Sequence, residues 1–275
     1  MDSKLTATRV RTAWKRAFAG SVLIALLAAC ATSGINQGDI NVIGLDEEWE
    51  LGRQLETDLA KELDLVNDTE VLDYVNRAGQ AVVAQTEMAS LPWTFHVVRD
   101  EAINAFNIPG GHVYVNTGLI LSAESASELM GVVSHEIAHG VARHATEQLT
   151  RVYGLNFLAS VLLGSDPKTY QTILAQIVGT GAIAKFSREA EEEADELGVR
   201  YMYNAGYDPL GMPRMFEHLL NEQQRRPDGV SRFFSTHPLT EDRIRATRAQ
   251  AEALPPKSGL IEDETEFQSI RERVR

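Results

Sequence analysis

The stretch from Ser134 to His144, SHEIAHGVARH, limits the possible folds more than any other part of this sequence. An α-helix turns about 100° per residue, so His135 and His139, four apart, stand one above the other on a single face. Their ring nitrogens can share one metal ion. Glu136, next to the first of them, brings a carboxylate able to take a proton from water beside that ion. A zinc enzyme usually takes three protein ligands and keeps a fourth position open. Two histidines are one too few, so the chain must fold a further ligand in from elsewhere. The bland alternative is a solvated polar helix, because H-E-x-x-H on its own also arises by chance.

His144 is the nearest further histidine. Five residues past His139 it has rotated about 140° away from that ligand on a continuous helix, so it is expected to pack or hydrogen-bond at the helix end. The metzincin pattern, which breaks the helix at a glycine and places a histidine six residues on, is absent: Ala142 and Ala145 occupy those positions. The acidic segment FSREAEEEAD offers carboxylates instead. Glu191 and Asp195, four apart, share a helix face, and Glu192 and Glu193 rotate away from it. Solvation is the ordinary fate of such acids and is expected for Glu189, Glu192, Glu193 and Glu196. Composition alone does not choose among them.

The chain begins with a basic segment (Lys4, Arg9, Arg11, Lys15, Arg16) followed by the apolar run SVLIALLAAC, the pattern of a secretory signal. The run is too short for a mature transmembrane helix, which needs about 20 apolar residues. LAAC, ending at Cys30, resembles the lipobox of bacterial lipoproteins, which implies cleavage after residue 29, lipidation of Cys30 and a tether over residues 30–44. Ala31 is not the aspartate that holds such proteins at the inner membrane. The resemblance therefore implies the periplasmic face of the outer membrane in a Gram-negative cell. Cys30 is the one cysteine, so the mature chain is expected to lack disulfides. Loss of residues 1–29 leaves 21 basic against 38 acidic side chains, a net charge of −17. That excludes nucleic acid as a natural partner and assigns membrane attachment to the acyl chains.

From about Leu45 the pattern predicts one mostly helical domain, residues 45–275, with a small sheet. DEEWELGRQLETDLAKEL and DTEVLDYVNRAGQAVVAQT have helical spacing, and Asp68 is placed to cap the second. WTFHVVRD alternates, predicting a strand from Trp93 to Val98, and His112–Asn116 reads as a second strand after a Pro and two Gly. The motif helix is expected to start near Ser122 or Glu124. YGLNFLASVLLG and TILAQIVGTGAIAKF are too short to span a bilayer and read as packed or cleft-covering helices, with shallow membrane contact as the alternative. The acidic helix should end at Gly206, with two more helices after it. No repeat period is present.

NAFNIPGGHVYVNTGLI, HEIAHGVARH, FSREAEEEAD and STHPLTEDRI, in this order, resemble the M48 family of zinc metallopeptidases, and the likeness covers nearly all of the mature chain. With its short length and lipobox, the chain is most similar to the LoiP-type bacterial lipoprotein group. The resemblance implies an α+β, mostly helical zincin-type (gluzincin-like) domain with a small β-sheet flanking the HExxH helix. It also implies one zinc ion per chain, held by His135, His139 and Glu191.

By the family's pattern Asp195 supports a ligand histidine, and His237 of the His237-Pro238 pair donates to the oxyanion of the reaction, with Arg243 orienting it. The region of Asn104, Ala105 and His112–Asn116 corresponds to the family's edge strand for substrate, with His112 either shaping a pocket or facing solvent. The function implied is a tethered zinc metalloendopeptidase with Glu136 as general base. Its expected substrates are unfolded or misassembled envelope proteins, and the outer-membrane assembly machinery is an expected contact. A periplasmic chaperone or assembly factor with a structural zinc is the alternative. An integral-membrane prenyl-protein protease is opposed by the lack of long apolar spans.

Overall fold

Residues 41–275, apart from residues 42, 155–165, 182, 184 and 226, are described by a computed structural model. The expected signal segment, Cys30 and all but a few residues of the tether lie outside the described residues, as does most of YGLNFLASVLLG. Helix α1 (Leu45–Glu62) buries Leu51, Leu55 and Leu59, the residues of one face. Helix α2 (Thr69–Val83) starts where predicted, with the Asp68 carboxylate accepting from the amides of Glu70 and Val71.

Three strands follow: β1 (Thr94–Val98), β2 (Ala105–Ile108) and β3 (His112–Asn116), in the order β1-β3-β2. β3 lies parallel to β1 and antiparallel to β2. The reversal between β2 and β3 uses Gly110 and Gly111 at φ 85° and 73°, a left-handed conformation that costs glycine little. Strand residues alternate between faces. His112 and Tyr114 thus turn toward α1, where Tyr114, Phe106 and Ile108 join the cluster formed by the α1 leucines. Val113, Val115 and Asn107 point to the other face.

A short helix α3 (Thr117–Ser122) occupies the expected start of the motif helix, and the chain breaks before α4 (Ala126–Val141). Ser125 caps α4, its hydroxyl accepting from the Glu128 amide. Every residue of α4 is buried, so the solvated-helix alternative is wrong for this segment. The expected continuous helix through His144 is also corrected. Arg143 adopts φ 61° and hydrogen-bonds the buried Glu48 at 2.6 Å, and a new helix, α5 (His144–Tyr153), begins.

Helix α6 (Pro167–Thr180), drawn from the second apolar stretch, packs Ile173, Leu174 and Ile177 into the α1 cluster. Among the described residues no helix is long and apolar enough to cross a membrane. The acidic segment forms α7 (Arg188–Asn204), capped by Ser187 and ending just before Gly206 at φ 97°. It packs on α4 at Gly198, where a Cβ would lie 3.2 Å from the His135 amide nitrogen. Helices α8 (Gly211–Arg225), α9 (Pro227–Thr236) and α10 (Glu241–Ala253) follow, and α9 is a helix beyond the two expected here, taking up the FFST stretch read as loop. Beyond the last predicted helix the structure adds α11 (Thr265–Arg273), whose Phe267 meets Tyr74 of α2 at 6.1 Å.

Candidate metal centre

α4 presents His135 and His139 on one side, as the four-residue spacing requires, with their Nε2 atoms 3.0 Å apart. α7 lies across them and brings in Glu191, whose carboxylate oxygens are 3.5 Å from both Nε2 atoms. The segment between α9 and α10 adds His237, with Nδ1 3.0 Å from Glu191 and 3.3 Å from His135 Nε2. These four side chains bring one ligand atom each to within 4.8 Å of one another, and none is more than 1% exposed.

Burial opposes a charge on His135, but hydrogen bonds to Asp195 and Glu191 outweigh it and push the imidazole up to about 9. Burial and the neighbouring His135 push His139 well below the usual range. Burial alone would raise Glu191, yet His237, His135 and His139 hold its carboxyl well below the ordinary value. His135 therefore keeps a proton beside the ionised Glu191 carboxylate and the neutral His139, and ligand sites of this kind exchange such a proton for metal. Two imidazoles and a carboxylate suit zinc.

The outward nitrogens of both histidines are engaged, which fixes which nitrogen faces the centre. His135 Nδ1 lies 3.0 Å from Asp195. Arg243, itself buried, grips Asp195 with two bonds of 2.7 and 2.8 Å, reaches Glu191 at 2.6 Å, and donates to the carbonyl of Pro238, next to His237. His139 Nδ1 meets His144 Nδ1 at 2.8 Å, and His144 Nε2 meets Glu193 at 3.1 Å. With the His139 Nε2 lone pair turned to the centre, its Nδ1–H donates to His144, whose Nε2–H donates to Glu193. His144 is thus a hydrogen-bonding residue at a helix end, but the start of α5, not rotation along one helix, puts it there. Glu193, expected to be merely solvated, anchors this chain instead.

Glu136 sits beside the cluster. Burial raises its carboxyl above the ordinary range. Its Oε1 is 3.4 Å from His237 Nε2, and among the described residues both atoms lack a hydrogen-bond partner. The expected role of His237 as an oxyanion donor needs a ring outside the ligand set, whereas here the ring lies within it. Phe186, for which no local sequence signal gives a role, stacks on His139 at 4.1 Å.

The residues expected to bind substrate divide. The Asn104 carbonyl accepts from the Asn116 amide at 3.0 Å, so it faces β3. By the alternation of an antiparallel ladder, the peptide groups of Ala105 and Asn107 point outward from the edge strand β2, and the Asn107 amide bonds Glu136. Asn107 was missed because only tertiary packing shows which edge meets α4. His112 takes neither expected place. It is 5% exposed, not solvent-facing, and its ring lies on the α1 face with Thr94 and Glu56, across the sheet from Glu136.

The sequence profile of Peptidase family M48 matches residues 71–251. The chain belongs to this family. M48 proteins are zinc metallopeptidases, and His135, His139 and Glu191 of this M48 chain are positioned as a metal site. It is 28% identical over 245 residues to the beta-barrel assembly-enhancing protease of Escherichia coli, covering 85% of this chain and 49% of that protein. It is 33% identical over 175 residues to the mitochondrial metalloendopeptidase OMA1 of Schizosaccharomyces pombe, covering 62% of this chain and 50% of the relative. The M48 chain thus spans about half the length of the curated relatives it matches.

Proposed function

We propose that this chain is a zinc metalloendopeptidase that hydrolyses unfolded or misassembled proteins of the cell envelope. The observation that carries the reading is the buried Glu136 carboxylate, with one oxygen unpartnered among the described residues, beside two converging imidazoles and Glu191. A purely structural zinc site has no use for such a base. When bound, zinc supplies Lewis acidity, polarising a carbonyl and lowering the pKa of water toward about 7. Glu136 takes the proton of the attacking water and returns it to the leaving amine. An extended peptide adds to β2 through the outward groups of Ala105 and the Asn107 carbonyl, the Asn107 amide being held by Glu136. Envelope substrates are supported by the name of the beta-barrel assembly-enhancing relative. Casein digestion by the purified chain tests the activity: cleavage should stop with a chelator and return with zinc, and cleavage indifferent to chelation would refute it.

His237 and Phe186 close the centre in this conformation, so both withdraw before a peptide enters. The withdrawn His237 ring then has a nitrogen available to donate to the oxyanion. His237→Ala should keep zinc on three ligands but lose it to a competing chelator faster than the parent. An unchanged release rate would show that the ring does not guard the centre.

Anchoring follows from the N-terminal pattern: signal cleavage after residue 29, lipid on Cys30, and attachment at the periplasmic face of the outer membrane. Cys30→Ser should move the protein from the membrane to the soluble fraction. An unmodified Cys30 in the mature native protein, read by mass spectrometry of the N-terminal peptide, would end this proposal.

A further inference from the structure

We propose that Glu56, His96 and His112 form a second metal site, for a divalent ion of the zinc class, on the α1 face of the sheet. His96 of β1 and His112 of β3 share this face, since Thr94 pairs with His112 and His96 with Tyr114 in the parallel register. Glu56 reaches down from α1, its Oε1 lying 2.9 Å from His96 Nε2 and 3.2 Å from His112 Nδ1. The Thr94 hydroxyl closes the group, 2.7 Å from His112 Nδ1, 3.2 Å from His96 Nε2 and 3.3 Å from Glu56.

The three ligand atoms fall within 4.8 Å of one another, a two-nitrogen, one-carboxylate set of the type zinc accepts. The rings are held for the task. His96 stacks on Tyr114 at 4.7 Å and His112 is buried. Glu56 and His96 stay about a quarter exposed, which leaves a path for the ion and room for water as a further ligand. Burial, against the pull of Glu56, lowers both histidines below the usual range, and neutral imidazole is the ligating form.

An ion here has a defined structural consequence. It would join α1, which precedes the family-matched residues 71–251, to β1 and β3. α1 already meets the β2–β3 turn closely, for a Cβ on Gly52 would overlap the Pro109 carbonyl oxygen. The ion would therefore brace the hairpin that carries the edge strand β2 from the side opposite Glu136.

Metal analysis of the purified full chain, equilibrated with zinc buffered so that scattered surface carboxylates stay empty, tests the assignment. Two zinc ions per chain are expected in the parent, one in His96→Phe, one in Glu191→Ala and none in the double variant. His96→Phe keeps a ring to stack on Tyr114. Should it fail to fold, Glu56→Gln is the substitute and should lose the second zinc at the concentration that saturates the parent. One zinc in the parent that Glu191→Ala loses and His96→Phe keeps, or two retained by folded His96→Phe or Glu56→Gln, would overturn the second site. Two zinc ions in Glu191→Ala alongside one in His96→Phe would refute the first centre and leave the second standing.

Discussion

Glu136→Gln should fold, keep its zinc and lose peptide cleavage by about 10²–10⁴-fold, the range general acid–base catalysis contributes. The amide has the size and shape of the acid, so the packing of the fully buried α4 is preserved, and Glu136 is not among the side chains whose ligand atoms converge. Only the ability to take and return a proton is lost. Burial already raises the carboxyl above the ordinary range, which makes it a stronger base toward water than an exposed glutamate. The measurement is digestion of casein alongside metal content. Cleavage at the parent rate would remove Glu136 from the chemistry and favour a chaperone or assembly role with a structural zinc.

Glu191→Ala should be purified depleted of zinc and inactive, whereas His144→Ala should retain near-stoichiometric zinc when the metal is saturating. Glu191 is the carboxylate that faces both Nε2 atoms, and its loss leaves two imidazoles and the displaceable His237. Of His139, His144 meets the outward Nδ1 and not the Nε2 that faces the centre. Removing such a support typically lowers metal affinity about 10–100-fold without emptying the site. Metal analysis on folded protein separates the two, and zinc retained in Glu191→Ala but lost in His144→Ala would show that the third ligand has been misassigned.

Local signals are legible in the sequence because near neighbours decide them. The four-residue spacing of His135 and His139 forces a shared face on any helix, and the Asp68 cap, the β3 span His112–Asn116 and the turn at Gly110 and Gly111 each depend on a few adjacent residues. The ends of α4 were less legible. Arg143 takes a left-handed conformation that its own residue type disfavours, held in part by its bond to Glu48, 95 residues away.

By itself, then, the sequence determined that two histidines and an acid share a helix, that the chain is α+β with few strands, and which motifs resemble the M48 pattern. Tertiary structure alone decided which acids of α7 meet those histidines. Periodicity puts Glu191 and Asp195 on one face, but the close approach at Gly198 turns that face onto α4. It also decided that Glu193 meets His144, that His237 enters the ligand cluster, and that His112 faces α1 instead of Glu136. Those outcomes depend on the angle and register at which distant elements pack. Side-chain period gives a residue its face, and only the packed neighbour gives that face its chemistry.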